Sequence, residues 1–209
     1  MKKFFLTVVL ISTSFLISFA QNHTNDLTQD EIEAFKVQCQ ERIDAFQMAL
    51  EIIADKRQDA KIKNHYISTI PEMFMGNGDP WTDLNGTNHN AVEMQISAIR
   101  NGKTHVSSLP LKAYLQRLRN LKYTRVEIKK AKTCRISNFY KVNDNLYTAT
   151  CTFFQYFTGQ SGETLVYRDY TQKDVEVYIQ RVEDGSLGTY WDMKFGDVNV
   201  SETRNMSDL

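Results

Sequence analysis

The chain has 209 residues, and 25 Lys and Arg balance 25 Asp and Glu, so its formal charge at pH 7 is zero. That length corresponds to one domain with or without a tail, and 42% hydrophobic and 11% aromatic residues with only 9 Gly and 3 Pro exclude a disordered or collagen-like chain. Balanced charge also excludes the broadly basic surface that sequence-independent nucleic-acid binding requires.

Lys2 and Lys3 precede an uncharged apolar run over residues 4–20 that closes on Ser18-Phe19-Ala20, with small residues at the −3 and −1 positions of a signal-peptidase site. Residues 1–20 therefore read as a signal peptide, and the protein as exported, periplasmic or secreted. An uncleaved anchor is the alternative, but the run is at the short end for a spanning helix. No Cys follows it to carry a lipid, and no later run is long enough for stable membrane insertion. Residues 21–27 form an N-terminal extension, residues 28–200 a single domain, and residues 201–209 a polar tail expected to fray.

Thr28-Gln29-Asp30-Glu31 has the form of a capping box, and Ile32, Phe35, Cys39, Ile43, Phe46, Leu50 and Ile53 follow at helical spacing, predicting a helix of about 25 residues. A second helix is expected from Asp59 to about Phe74, ended or kinked by Pro71, and then a turn-rich loop over residues 75–90. Val92, Met94 and Ile96 alternate with polar residues ahead of Asn101-Gly102, which predicts a short strand or small hairpin. Ser108 with Pro110 is expected to open a third helix, with Leu111, Tyr114, Leu115, Leu118 and Leu121 on one face and Lys112, Arg117 and Arg119 toward water.

From Tyr123 the hydrophobic period becomes two, and four strands follow. They carry Val126 to Ile136, Tyr147 to Phe157, Val175 to Ile179, and Trp191 to Phe195, with short turns that predict antiparallel pairing in chain order. Phe153, Val177 and Trp191 belong to the covered face; Thr148, Thr150, Thr152, Tyr156 and Tyr178 belong to the outer one, where Tyr156 would stand beside Tyr178. The fold class is α+β, with N-terminal helices packed on a curved antiparallel sheet of four long strands plus a short strand pair.

Export would place the three cysteines in an oxidising compartment. Cys39 falls in the first helix's apolar stripe and reads as a small core residue. A two-residue turn at Asn143-Asp144 puts Cys134 opposite Phe153 and Cys151 opposite Ile136, as diagonal neighbours too far apart for an easy disulfide. A four-residue loop would bring the two thiols directly opposite. Carrying the third strand's core parity backward from Val175 places Lys173, Thr171, Asp169 and Tyr167 on the covered face, joined by Gln155 from the second strand. A β-bulge or bend near Tyr170 would instead turn Asp169 and Lys173 to solvent, or the two would form an ordinary ion pair, and the cost of an unpaired charge on a core face favours these alternatives.

The element order resembles the nuclear-transport-factor-2-like superfamily, the cone-shaped, cystatin-like α+β fold shared with ketosteroid isomerases and dehydratases. The passage from Cys151-Thr-Phe-Phe-Gln-Tyr-Phe157 through Tyr167-Arg-Asp-Tyr-Thr-Gln-Lys-Asp-Val-Glu-Val-Tyr178 to Trp191-Asp-Met-Lys-Phe-Gly-Asp197, with the leader's Phe-Ala-Gln junction, looks like exported Bacteroidetes proteins of unknown function. The resemblance implies that Gln155, Tyr167, Asp169, Thr171 and Lys173 line the mouth of a ligand pocket. It does not choose among enzyme, binding module and assembly factor.

No Cys-x-x-Cys, paired-histidine, phosphate-loop or nucleophile-elbow motif occurs, so neither a metal nor a cofactor is expected. His89, in the turn-rich loop, reads as solvated rather than as a base. The sequence favours a non-catalytic exported module that binds a protein partner or small ligand through the cone or the outer sheet face. The alternatives are an isomerase- or dehydratase-like enzyme, with Asp169 as base and Tyr167 as polariser, and a homodimer subunit.

Overall fold

The computed structural model describes residues 26–83 and 86–205, so the expected signal peptide and the last four residues lie outside the described residues. Helix α1 (Gln29–Ala54) starts at the expected capping box: Thr28 Oγ1 accepts from the Glu31 amide, and the Glu31 carboxylate accepts from the Thr28 amide. Its stripe buries Cys39, Ile43, Phe46, Leu50 and Ile53. Helix α2 (Ala60–Thr69) is capped by the Asp59 carboxylate, and Pro71 falls in a 3-10 turn, Ile70–Met73, that succeeds it. Phe74 then packs edge-on against Phe46 and Phe195, pinning this connection to the core.

The segment expected as plain loop also contains a small antiparallel pair, β1 (Trp81–Thr82) and β2 (Asn88–His89). Strands β3 (Glu93–Arg100) and β4 (Lys103–Pro110) form a hairpin longer than expected. Its Asn101-Gly102 turn has φ of 52° and 71°, as a type I′ turn requires. Ser108 pairs with Gln95 inside β4, so it does not open a helix. Helix α3 (Leu111–Arg119) begins after Pro110.

The strands that follow are β5 (Arg125–Ile136), the short β6 (Tyr140–Asn143), β7 (Leu146–Ser161), β8 (Thr164–Asp184) and β9 (Gly188–Asn205). The first expected strand is β5, and β6 is a further short strand ahead of the turn that no expectation covered; both pair with β7. The main sheet has the order β4-β3-β9-β8-β7-β5, and only the β3–β9 contact at Met94 and Val198 is parallel. The fold is α+β, and the helices cover the face that carries Phe153, Val175, Val177, Ile179, Met193 and Phe195. Trp191 is only half-buried, edge-on to Tyr147, which corrects its expected place in the core. β9 runs five residues past Val200, and Thr203 Oγ1 donates to Ser97 Oγ at 2.6 Å, so the start of the expected tail is sheet.

Where β8 pairs with β9, the bulges fall on β9. Between the Val175–Val198 and Val177–Phe195 pairs β8 advances two residues and β9 three; between Gln172–Glu202 and Lys173–Val200 β8 advances one and β9 two. β8 therefore keeps its alternation from Asp169 to Ile179, and its pairing with β7 is regular from Leu146–Gln180 to Gly159–Tyr167. The favoured expectation, a bulge near Tyr170 that sends Asp169 and Lys173 outward, is overturned. The register also places Cys134 opposite Phe153 and Cys151 opposite Ile136, and all three cysteines are free thiols. Cys39 is not isolated: it joins Cys134 beside Cys151, and their hydrogen bonds, with burial, push the Cys151 thiol far up.

Candidate functional site

A cavity of about 230 Å³ lies between β3, α3 and the covered face of β7 and β8. All five sequence-named residues, Gln155, Tyr167, Asp169, Thr171 and Lys173, line it. β8 supplies four of them because residues of one parity share a face, and Gln155 enters from β7 directly opposite Thr171.

β3 crosses above this row antiparallel to β8 and gives the cavity a defined axis. At the inner end Lys173 Nζ donates to the Gln95 carbonyl at 3.2 Å and lies 5.8 Å from the centroid of the Tyr114 ring. Next, the Thr171 hydroxyl approaches Ser97 at 3.5 Å. Further out, Tyr167 Oη donates to Asp169 Oδ2 at 2.7 Å and accepts from the Ile99 amide at 3.2 Å. Phe157, opposite Asp169 on β7, brings an aromatic wall that Tyr123 continues edge-on. Arg100, from the end of β3, and Arg117, from α3, are exposed and mark the outer end.

Charge inside this space is expensive. Asp169 and Lys173 are each 5% exposed. Burial raises the Asp169 carboxyl pKa, against the opposing effects of the Tyr167 hydrogen bond, the Lys173 charge and the Thr171 hydroxyl. Burial pushes the Lys173 ammonium down to about 8, against the pull of Asp169. Tyr114 and Tyr167 are both pushed up, first by burial and then by the neighbouring carboxylate. Each charged group has its own hydrogen-bond partner, Tyr167 for Asp169 and the Gln95 carbonyl for Lys173, so the pair is held in place from both sides. One polar atom is left over: Gln155 is 6% exposed and its Nε2 has no hydrogen-bond partner among the described residues.

Tyr114, Arg100, Arg117 and Ser97 are site residues that the sequence did not assign to it. Tyr114 reads as ordinary helix core and Arg117 as a solvated face, and only the crossing of α3 and β3 over β8 brings them to the cavity. His89 stands elsewhere, stacked on Trp81 with centroids 4.1 Å apart and bonded to Asp83 at 3.1 Å. It is oriented by Asp83, six positions before it, and does not line the cavity. Among the described residues no three His, Cys, Asp or Glu side chains converge as a metal site.

The outer sheet face carries Thr148, Thr150, Thr152, Tyr156 and Tyr178 as expected. Tyr156, however, pairs with Tyr170 at 4.7 Å between centroids and not with Tyr178, which lies opposite Thr148. Several polar groups there are satisfied within the face: Thr152 donates to Asp174 at 2.6 Å and Tyr178 to Glu176 at 2.8 Å.

No protein-family model and no curated protein matches the chain. Among solved structures, one similar chain is a protein of Novosphingobium aromaticivorans DSM 12444 described as a "Putative Scytalone Dehydratase". It is 7% identical, with a TM-score of 0.44 over 85% of this chain and 91% of that one. No residue role follows from a likeness at that level.

Proposed function

We propose that the chain is an exported module that binds a small molecule in the cavity between β3, α3 and β8. The observation that carries this reading is the unpartnered Gln155 amide, buried in a cavity that also holds Asp169 and Lys173. A buried donor without a partner costs about 1–3 kcal/mol, a cost that a ligand acceptor atom would remove. The lining suits a pocket: apolar and aromatic walls with a few convergent polar groups. A cavity of about 150 Å³ accepts benzene, so this one admits a substituted ring. The outer face supports docking of a partner less well, because its polar groups bond one another. Titration calorimetry of small ring compounds against the wild type and Gln155→Leu tests the reading. Binding that weakens in the variant supports it, and equal binding in both places the ligand elsewhere.

A second reading rests on Asp169. A buried carboxylate with a raised pKa, bonded to a tyrosine inside a cavity, has the properties of a general base, one that accepts a proton from a bound carbon or hydroxyl acid. Tyr167 already donates to Asp169 and accepts from Ile99, so polarising a substrate oxygen would require it to turn away from Asp169.

A further inference from the structure

The charged groups lining the cavity are three cations, Arg100, Arg117 and Lys173, against one carboxylate, Asp169. Lys173 and Asp169 lie inside, where their opposite charges offset each other, whereas both arginines are exposed at the outer end. The field at the opening is therefore positive although the chain as a whole is neutral. A guanidinium also presents a planar fork matched to a carboxylate.

The inner groups define the other end of the ligand. Gln155 Nε2 offers a free N–H, and Asp169, diagonal to it on β8, offers the acceptor lone pairs that the Tyr167 and Thr171 hydroxyls do not occupy. A hydroxyl oxygen accepts from the first and its proton can go to the second, whereas an aliphatic end would leave the amide unpaired. Between the two ends stand Phe157, Tyr123 and Leu118, apolar surface for a ring.

Building on the pocket reading above, we infer that the ligand class is a small hydroxylated ring carboxylate, its anion held by Arg100 and Arg117 at the opening and its hydroxyl held by Gln155 and Asp169 inside. The polarity follows from the partners already engaged: a carboxylate placed inward would face Asp169 beside Lys173, whose ammonium already donates to the Gln95 carbonyl, and a hydroxyl placed outward would leave both arginines without an anion.

The test is titration calorimetry of the purified chain with 4-hydroxybenzoate and its neutral counterpart 4-hydroxybenzamide, at low and high salt. The carboxylate is expected to bind at least tenfold more tightly, with the excess falling at high salt and disappearing in the Arg100→Gln, Arg117→Gln double variant, both changes being on exposed side chains. Gln155→Leu should weaken both probes alike, since both carry the hydroxyl. Equal affinity for the two compounds, with Gln155→Leu still weakening them, overturns the anion inference and leaves the pocket reading in place. Binding of neither compound overturns the ligand class, and the pocket reading then falls too if a panel of neutral rings also fails. A carboxylate preference that survives in the double variant overturns the assignment to the two arginines.

Discussion

Tyr167 and Asp169, two residues apart on β8, are joined by a 2.7 Å hydrogen bond while the tyrosine oxygen takes the Ile99 amide from β3. The contact ties two sheet strands across the cavity and holds the carboxylate in a fixed position. Asp169→Asn keeps the size and the acceptor oxygen but removes a charge that burial disfavours. It is therefore expected to abolish or strongly weaken ligand binding or turnover while leaving stability unchanged or about 1 kcal/mol higher near neutral pH. The sign follows from linkage. A carboxyl whose folded pKa is raised contributes stability fully present below the unfolded value near 3.8 and lost as pH rises through the folded value. Urea unfolding of wild type and variant from pH 3 to 7 checks this; a wild type that gains stability over the variant as pH rises would contradict it.

Lys173 has the opposite slope. Its folded pKa of about 8 lies below the ordinary 10.5, so the unfolded chain binds more protons between these values and stability rises with pH across that window. At about 1.4 kcal/mol per pH unit, the gain is on the order of 3 kcal/mol by pH 10. Lys173→Met, which keeps the chain length and drops the charge, should flatten this rise and be more stable than wild type at pH 7. Denaturant melts of both proteins at pH 7, 8.5 and 10 are the measurement, and identical slopes would place Lys173 in contact with water.

On β7, Phe153 is fully buried while Thr150 is exposed on the opposite face. Phe153→Ala should cost about 3–5 kcal/mol, and Thr150→Ala should stay within about 0.5 kcal/mol. Thermal and denaturant unfolding of the two variants compares them directly, and comparable losses would mean that the strand's faces are reversed.

The helix and strand faces were legible because each element states its period locally: the stripe of α1, the alternation of β7, the Asn-Gly turn between β3 and β4. The location of the bulges was not, because the extra residues at Gly196-Asp197 and near Ser201 sit on β9. The third strand's own sequence argued for a defect near Tyr170 on grounds of charge burial. The structure meets that cost with partners from distant strands and helices, the Gln95 carbonyl, the Ile99 amide acting through Tyr167, and the Tyr114 ring. No pattern in β8 reveals that β3 will lie over it. The same limit applies to Arg100 and Arg117, whose shared position at the opening depends on tertiary packing alone. Trp191 was misplaced for a simpler reason: strand parity gives a residue's face but not its distance from the rim.

Gly159 provides the last test, because it joins the sheet's packing to the shape of the cavity. It is buried within β7, and a Cβ built there would come 2.7 Å from the ring of Tyr123, which lines the cavity beside Phe157. The contact is with rigid ring carbons, so the ring must move or the strand must shift. Gly159→Ala is expected to destabilise the fold by about 1–3 kcal/mol, the usual range for overpacking, and to weaken any ligand held against Tyr123. The double variant with Tyr123→Ala removes the clash, so the cost of adding Gly159→Ala should be smaller in that background than in the wild type, a loss less than the sum of the two single losses in a double-mutant cycle. Additive losses would show that the ring does not rest on the glycine, and the wall of the cavity would then have to be drawn without Tyr123.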